Sequence, residues 1–133
     1  MPLAKIYYRA NLFDEKRLKG VSDGVQQALT EVLKVPVEDF YQLFFEFPEN
    51  KFLHTPSFVG MHYSDELIIV EVTFISGRDK DTRLKLLKVI NEHVVENAGI
   101  SPDDLLIVLY EVPGENLSFG QGEAQRASIP ASG

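Results

Sequence analysis

Residues 39–47, DFYQLFFEF, and residues 104–112, DLLIVLYEV, decide the fold of this chain. Both segments begin with aspartate, are rich in apolar residues, and end immediately before a proline, Pro48 or Pro113. Short apolar runs bounded by proline are typical of β-strands. The first segment carries apolar residues on both of its faces, so it is expected to be buried on both sides.

An internal repeat relates the two segments. A displacement of 65 residues places Asp39 on Asp104 and Glu46 on Glu111. Both segments also follow the same two elements, a strand and then an amphipathic helix. The shared order of elements carries more weight than the few identities, which chance could supply.

The preceding strands are predicted over 2–8 and 66–75. Apolar residues at helical spacing predict a first helix over Asp14–Lys34. Asp79 is suited to cap a second helix that runs to about Asn97, and Gly99 is suited to end it. The residues expected to be buried by the second helix are Leu84, Leu87, Ile90 and Val94.

The order strand–helix–strand, used twice, predicts an α+β fold. Two βαβ units would form one four-stranded sheet with both helices on one face. Residues 1–122 are expected to form a single domain with halves at about 2–60 and 61–122, and 123–133 a poorly ordered tail. Within the domain, residues 49–65 are irregular and have room for a short hairpin. Because such a sheet leaves one face uncovered, further copies of the chain are expected to cover it.

Composition excludes several classes of function. The 133 residues carry a formal net charge of −7, which argues against a nucleic-acid partner. Cysteine is absent and the three histidines show no metal-ligand spacing, so no metal site is expected. Neither a membrane span nor a signal peptide is predicted, and a cytoplasmic location is expected.

Five segments in order give the chain a resemblance to a known family. They are Pro2-Leu3, Val35-Pro36 with Asp39-Phe40-Tyr41-Gln42, Ile75-Ser76-Gly77-Arg78, Gly99–Asp104, and Ser118–Gly122. With a Met1-Pro2 start and two βαβ units, the chain resembles the tautomerase superfamily of amino-terminal proline enzymes. The likeness is greatest to its long-chain members, the malonate semialdehyde decarboxylases and related tautomerases. It implies a homotrimer with three sites at subunit boundaries and no cofactor.

The resemblance makes Pro2 the candidate catalytic residue. Once Met1 is removed, Pro2 becomes a terminal secondary amine, and an ordinary α-amino group has a pKa of about 7.7–8.0. Such a group can take a proton from carbon or deliver one. Asp39 matches an acidic residue that family decarboxylases use near the proline, although a carboxylate at a strand start can also be structural.

The remaining candidates bind substrate. Arg78 is suited to hold a carboxylate with its guanidinium fork, although the related decarboxylases carry two arginines in this turn. Tyr41 is expected on the strand face of Asp39, where its hydroxyl could donate a hydrogen bond. Phe119 stands where family members build an apolar wall, and Leu117 where the decarboxylase-like pattern has tryptophan.

Three functions are compatible with this pattern. The favoured one is a cofactor-independent keto–enol tautomerase of small 2-keto or enol carboxylic acids. The alternative is a decarboxylase or hydratase of small 3-oxo acids, which the loss of one arginine disfavours. The third is a non-catalytic interaction protein built on the trimer scaffold.

Overall fold

The computed structural model describes residues 1–128 of the chain. Two long helices cover a four-stranded sheet, and a two-stranded hairpin lies between the halves. The elements are β1 (Leu3–Arg9), α1 (Glu15–Leu33), β2 (Gln42–Phe47), β3 (Ser57–Phe58), β4 (Met61–His62), β5 (Ile68–Ile75), α2 (Lys80–Ala98) and β6 (Leu105–Val112).

The sheet has the order β2-β1-β5-β6. β1 and β2 are parallel, β5 and β6 are parallel, and β1 pairs with β5 in the antiparallel sense. Each parallel pair is bridged by one helix, as a parallel connection requires. The two βαβ units and the four-stranded sheet predicted from the repeat are therefore confirmed.

Local capping signals place the helix ends. Asp14 and Asp79 precede the helices, and their side chains accept hydrogen bonds from the amides of Arg17 and Thr82. Gly99 ends α2 in the left-handed conformation with φ of 68°. Both predicted caps of the second helix are thus confirmed.

The core lies between one face of the sheet and the two helices. Alternate residues of β1 and β5 are buried, as in a strand that has one covered face. The helices approach each other closely at two glycines of α1. A Cβ atom on Gly20 would lie 2.3 Å from the carbonyl oxygen of Asn97, and one on Gly24 would lie 2.9 Å from that of His93.

Two burial predictions are wrong for the single chain. β2 is an edge strand whose four central residues are exposed, because no element within residues 1–128 pairs with its outer edge. Regular pairing also begins at Gln42, so Asp39 and Tyr41 precede the strand instead of lying on one of its faces.

On α2, Leu84 is 52% exposed, because Leu86 and Val89 turn toward the sheet in its place.

The face of the sheet away from the helices carries a hydrogen-bonded group. The hydroxyls of Tyr7 and Tyr110 both donate to the carboxylate of Glu71. The ring of Tyr7 also stacks on Phe45, with 5.0 Å between the ring centroids. The bond to Glu71 raises the pKa of Tyr7 to about 12. Tyr7 and Glu71 are half-buried and Tyr110 is exposed, so this group lies on an open face of the single chain.

Residues 123–128, the first part of the predicted tail, lie against the segment after β6 and end in a turn over 125–128. The Gln125 side chain accepts a hydrogen bond from the Phe119 amide and donates one to the Gly120 carbonyl, both at 3.0 Å. Residues 129–133 lie outside the described part of the chain.

Replacing Gly24 by alanine is expected to destabilise the protein, although alanine is the better helix former by about 1 kcal/mol. The added Cβ would force the helices apart, so we expect a net loss of about 1–3 kcal/mol in urea unfolding. Lys16→Ala, an exposed change on the same helix, should stay within about 0.5 kcal/mol of the wild type. A Gly24→Ala protein as stable as the wild type would contradict the close approach.

Glu71 is expected to make stability depend on pH in the acid range. The hydrogen bond from Tyr7 holds the pKa of Glu71 below its ordinary value of 4.5. A carboxylate with a lowered folded-state pKa stabilises above its unfolded pKa, and that contribution is lost as pH falls through the folded pKa. Glu71→Gln should therefore cost less than about 1 kcal/mol at pH 7, because the group is partly exposed.

Thermal unfolding from pH 7 to pH 3 measures this dependence. The difference between wild type and Glu71→Gln should shrink below about pH 4.5. Tyr110→Phe, which keeps the bond from Tyr7, should retain most of the dependence. A stability difference between wild type and Glu71→Gln that stays constant from pH 7 to pH 3 would rule out this role of Glu71.

Candidate active site

The candidate site residues all come from segments that meet at one end of the sheet. β1 and the parallel β2 begin at this end, whereas β5, antiparallel to β1, and its parallel partner β6 finish there. The candidates lie in the segments that precede or follow these strand ends. Pro2 precedes β1, Asp39 and Tyr41 precede β2, Arg78 follows β5, and Leu117 and Phe119 follow β6.

The terminal amine of the chain lies against Asp39. The ammonium of Met1 donates to both carboxylate oxygens, at 2.6 and 2.7 Å. The Met1 and Asp39 side chains are only 10% and 19% exposed, and Pro2, the next residue, is buried. The Gln26 side-chain amide donates to the Asp39 carbonyl at 3.3 Å, which connects this segment to α1. A carboxylate is therefore held beside the start of the chain.

A small, mostly apolar cavity of about 180 Å³ opens beside that ion pair. Tyr41 and Phe119 form part of its wall, with 6.2 Å between their ring centroids. The guanidinium of Arg126 lies 5.9 Å from the centroid of the Phe119 ring. Sequence reasoning missed two of the lining residues, Leu3 and Ser118, although both flank predicted candidates. The full lining is Met1, Leu3, Tyr41, Leu117, Ser118 and Phe119.

Arg78 lies at the same end of the sheet but does not line this cavity. Its guanidinium donates to the carbonyls of Ile75 and of Leu33, the last residue of α1, at 3.2 Å each. Burial lowers the pKa of Arg78, and the nearby carboxylate of Glu111 opposes that shift. Two of the five N–H bonds of its guanidinium are used in these contacts. The other three make no hydrogen bond within residues 1–128.

Arg9, a further arginine with a possible anion-binding role, lies at the opposite end of the sheet. It donates to Asp65 and to the Phe52 carbonyl, both at 2.7 Å. Within residues 1–128, no three His, Cys, Asp or Glu side chains are grouped so that they could hold a metal ion. In the same range neither helix combines the length and hydropathy that crossing a membrane requires.

Comparison with known families assigns the chain to one class of protein. Residues 39–120 match the family described as tautomerase enzyme. The matched range includes Asp39, Arg78 and Phe119. The chain belongs to this family.

Two probable tautomerases of Bacillus subtilis (strain 168) are similar to the chain over most of its length. YusQ is 27% identical over 94% of the chain and 98% of the relative. YrdN is 30% identical over 84% of the chain and 86% of the relative.

Solved structures agree with this assignment. FG41 malonate semialdehyde decarboxylase inhibited by 3-bromopropiolate is 26% identical, with a TM-score of 0.85 over 96% of this chain and 99% of that one. A fused 4-OT solved as a symmetric wild-type trimer is 17% identical and has a TM-score of 0.78 over 95% and 98% of the chains. The second likeness concerns the fold alone.

The ion pair between Met1 and Asp39 can be tested by a double-mutant cycle in the chain that retains Met1. One arm is Asp39→Asn and the other is acetylation of the terminal amine. Because both groups are mostly shielded from solvent, we expect a coupling free energy of about 1 kcal/mol in urea unfolding, reduced at high salt.

Asp23→Asn is the matched control for this cycle. Asp23 forms an exposed pair with Lys19, so its coupling to the acetylated terminus should be about zero. The same null coupling for Asp39→Asn would mean that the ion pair does not form in solution.

Proposed function

We propose that this chain is a cofactor-independent keto–enol tautomerase of small 2-keto and enol carboxylic acids. Its general acid and base is the amine of Pro2, freed by removal of Met1. The observation that carries the proposal is the terminal amine held against Asp39 at the mouth of an apolar cavity. Membership of the tautomerase family supports chemistry of this type.

Removal of Met1 changes the chemistry of the Pro2 nitrogen. In the chain that retains Met1, that nitrogen is an amide and has no useful basicity. In the chain without Met1, it is a secondary amine, and the pKa of an ordinary α-amino group is close to the working pH. The amine then lies up to about 3.8 Å, one residue, from the present position of the Met1 amine. Asp39 therefore remains within reach of it, either directly or through one water.

The proton transfer can run through one group. To convert an enol into its keto form, a proton must reach the carbon while the enol hydroxyl loses one. Neutral Pro2 can take the hydroxyl proton and then, as the cation, deliver it to the carbon, which returns the amine to its neutral form; Asp39 can orient the cationic amine between the two transfers. The Tyr41 side chain lines the cavity and can place its hydroxyl near a substrate oxygen. These roles agree with the side chains that lie around the amine.

Arg78 is the proposed anchor for the substrate carboxylate. It lies at the same end of the sheet as Pro2 and keeps N–H bonds available for a bidentate contact. Leu117 and Phe119 then enclose the carbon chain of the substrate. The cavity of about 180 Å³ suits a small acid, and loss of the Met1 side chain from its wall would enlarge it.

A homotrimer belongs to the same proposal. The sheet face without helices and the edge strand β2 expose apolar side chains, including Leu43 at 46% and Phe45 at 37%. Leu3 and Met1 place the cavity toward this face, so a neighbouring copy could close it. The symmetric trimer of the fused 4-OT supports this assembly. The cytoplasmic location expected from the sequence stays a prediction.

Decarboxylation or hydration of a small 3-oxo acid is the second candidate. The likeness to FG41 malonate semialdehyde decarboxylase and the position of Asp39 at the terminal amine favour it. The turn of residues 76–79 carries one arginine where the related decarboxylases carry two, which disfavours it. In this reaction a cationic Pro2 and Asp39 would both be required.

Pro2→Ala is expected to lower kcat/KM for the ketonisation of phenylenolpyruvate at least about 100-fold, because a positioned acid or base contributes at least that factor. The reaction is followed by ultraviolet absorbance on protein whose intact mass shows that Met1 is absent. Protein that retains Met1 should be equally inactive, since its Pro2 nitrogen is an amide. Leu117→Ala, which changes the cavity wall but no proton donor, should reduce the rate much less.

The outcomes separate the candidates. Equal rates for wild type and Pro2→Ala would overturn the tautomerase proposal. Weak ketonisation together with carbon dioxide release from malonate semialdehyde, lost in Pro2→Ala and Asp39→Asn, would establish the second candidate. Absence of both activities in correctly processed protein would favour the non-catalytic interaction protein.

A further inference from the structure

A second arginine fastens the turn that carries Arg78. The guanidinium of Arg83, in the first turn of α2, donates to the carbonyl of Arg78 at 2.6 Å. The same group lies 3.7 Å from the carboxylate of Glu111 on β6. Glu111 in turn accepts a hydrogen bond from the amide of Gly77 at 3.3 Å. The ion pair of Arg83 and Glu111 therefore holds the backbone immediately before and after Arg78.

The turn needs such a restraint. Gly77 has φ of 124°, a conformation that side-chain-bearing residues rarely adopt. A glycine there leaves the chain free to take other conformations and to swing the following side chain. Two further bonds fix the ends of the turn: the Ser76 amide donates to the Val112 carbonyl at 2.9 Å, and the Asp79 side chain accepts from the Thr82 amide at 2.8 Å. Arg83 and Glu111 therefore restrain the backbone between these two ends, in addition to the bonds that the Arg78 guanidinium makes to Ile75 and Leu33.

The first half of the chain uses the same device. Arg17 lies 66 residues before Arg83 and donates to the carbonyl of Leu12, the fifth residue before it, at 3.2 Å. Arg83 likewise bonds the carbonyl of the fifth residue before it, Arg78. In both halves of the chain, an arginine near the start of the helix therefore holds the turn that precedes the helix. Only in the second half does the held turn present another arginine.

We infer that Arg83 and Glu111 are positioning residues, whose ion pair keeps the guanidinium of Arg78 aimed at the substrate carboxylate. The inference rests on the proposed function of Arg78. Neither Arg83 nor Glu111 needs to touch the substrate. Their loss should therefore weaken recognition of the carboxylate and leave proton transfer by Pro2 intact.

The test compares processed wild type with Arg83→Met, using phenylenolpyruvate and its methyl ester as substrates. Arg83→Met should raise KM for the acid about tenfold, as expected for the loss of a charge-assisted contact, with kcat within about twofold. The ester lacks the carboxylate, so its kcat/KM should change less than about twofold. Arg83→Lys should restore part of the affinity, and Glu111→Ala should reproduce the effect of Arg83→Met.

Lys85→Met is the matched control, because Lys85 is an exposed cation on the same helix and should leave KM for both substrates unchanged. An unchanged KM for the acid in folded Arg83→Met would overturn the inference. Equal losses for acid and ester would also overturn it, because they indicate general damage to the site.

A binding measurement separates this inference from the proposed function. Calorimetry with 3-phenylpropanoate, a carboxylate that cannot tautomerise, should give a dissociation constant about tenfold higher for Arg83→Met than for wild type. If wild type binds this acid but Pro2→Ala keeps full ketonisation, the proposed function fails while the positioning role is still measured. Wild-type binding with the same constant in Arg83→Met overturns the positioning role alone. Wild type that neither binds nor reacts overturns both.

Discussion

The antiparallel pairing of β1 with β5 is the constraint on which the rest of the structure depends. Each βαβ unit alone would have its strand starts at one end and its strand finishes at the other. Because β1 and β5 pair in the antiparallel sense, with Leu3 opposite Thr73, the two units run in opposite directions. The starts of β1 and β2 therefore lie at the same end of the sheet as the ends of β5 and β6. The start of the chain, the segment before β2, and the turns after β5 and β6 then converge. No single unit could assemble these four segments.

The same pairing produces a second, related end of the sheet, which the chain closes with its own side chains. There, Asp104 is buried and accepts hydrogen bonds from the amide and hydroxyl of Ser64. The repeat relates it to Asp39, which instead faces the terminal amine. The residue related to Pro2 is Leu67, which is buried in mid-chain. The asymmetry between the two ends follows from the position of the chain terminus.

The sequence was sufficient for features that are encoded locally. Asp14, Asp79 and Gly99 indicate helix ends because a cap acts on its own neighbours. The repeated order of elements implied the two βαβ units, but it did not give the antiparallel pairing of β1 with β5 that joins them. The exposure of β2 was not predictable, since an apolar strand has the same pattern whether its own chain or another copy covers it. The contact from Arg78 to Leu33 joins residues 45 positions apart, and no short-range pattern encodes it. The tight turn at Gly77 could be anticipated from the glycine, but not the carboxylate from β6 that holds it.

Arg17 and Arg78 each bond a carbonyl at the end of a helix, but within residues 1–128 only Arg17 also bonds a carboxylate. Arg17 uses all five N–H bonds: it bonds three carbonyls, those of Leu12, Ala98 and Gly99, and both carboxylate oxygens of Glu66, the latter at 2.8 Å each. Arg78 bonds the carbonyl at the end of the other helix but has no such carboxylate in residues 1–128. Burial lowers the pKa of Arg78, whereas the hydrogen bonds that Arg17 donates to Glu66 raise the pKa of Arg17. On the proposed function, a substrate carboxylate would complete at Arg78 the contact that Glu66 makes at Arg17. An anion would then stabilise a half-buried cation at the same end of the sheet as the amine that transfers the proton.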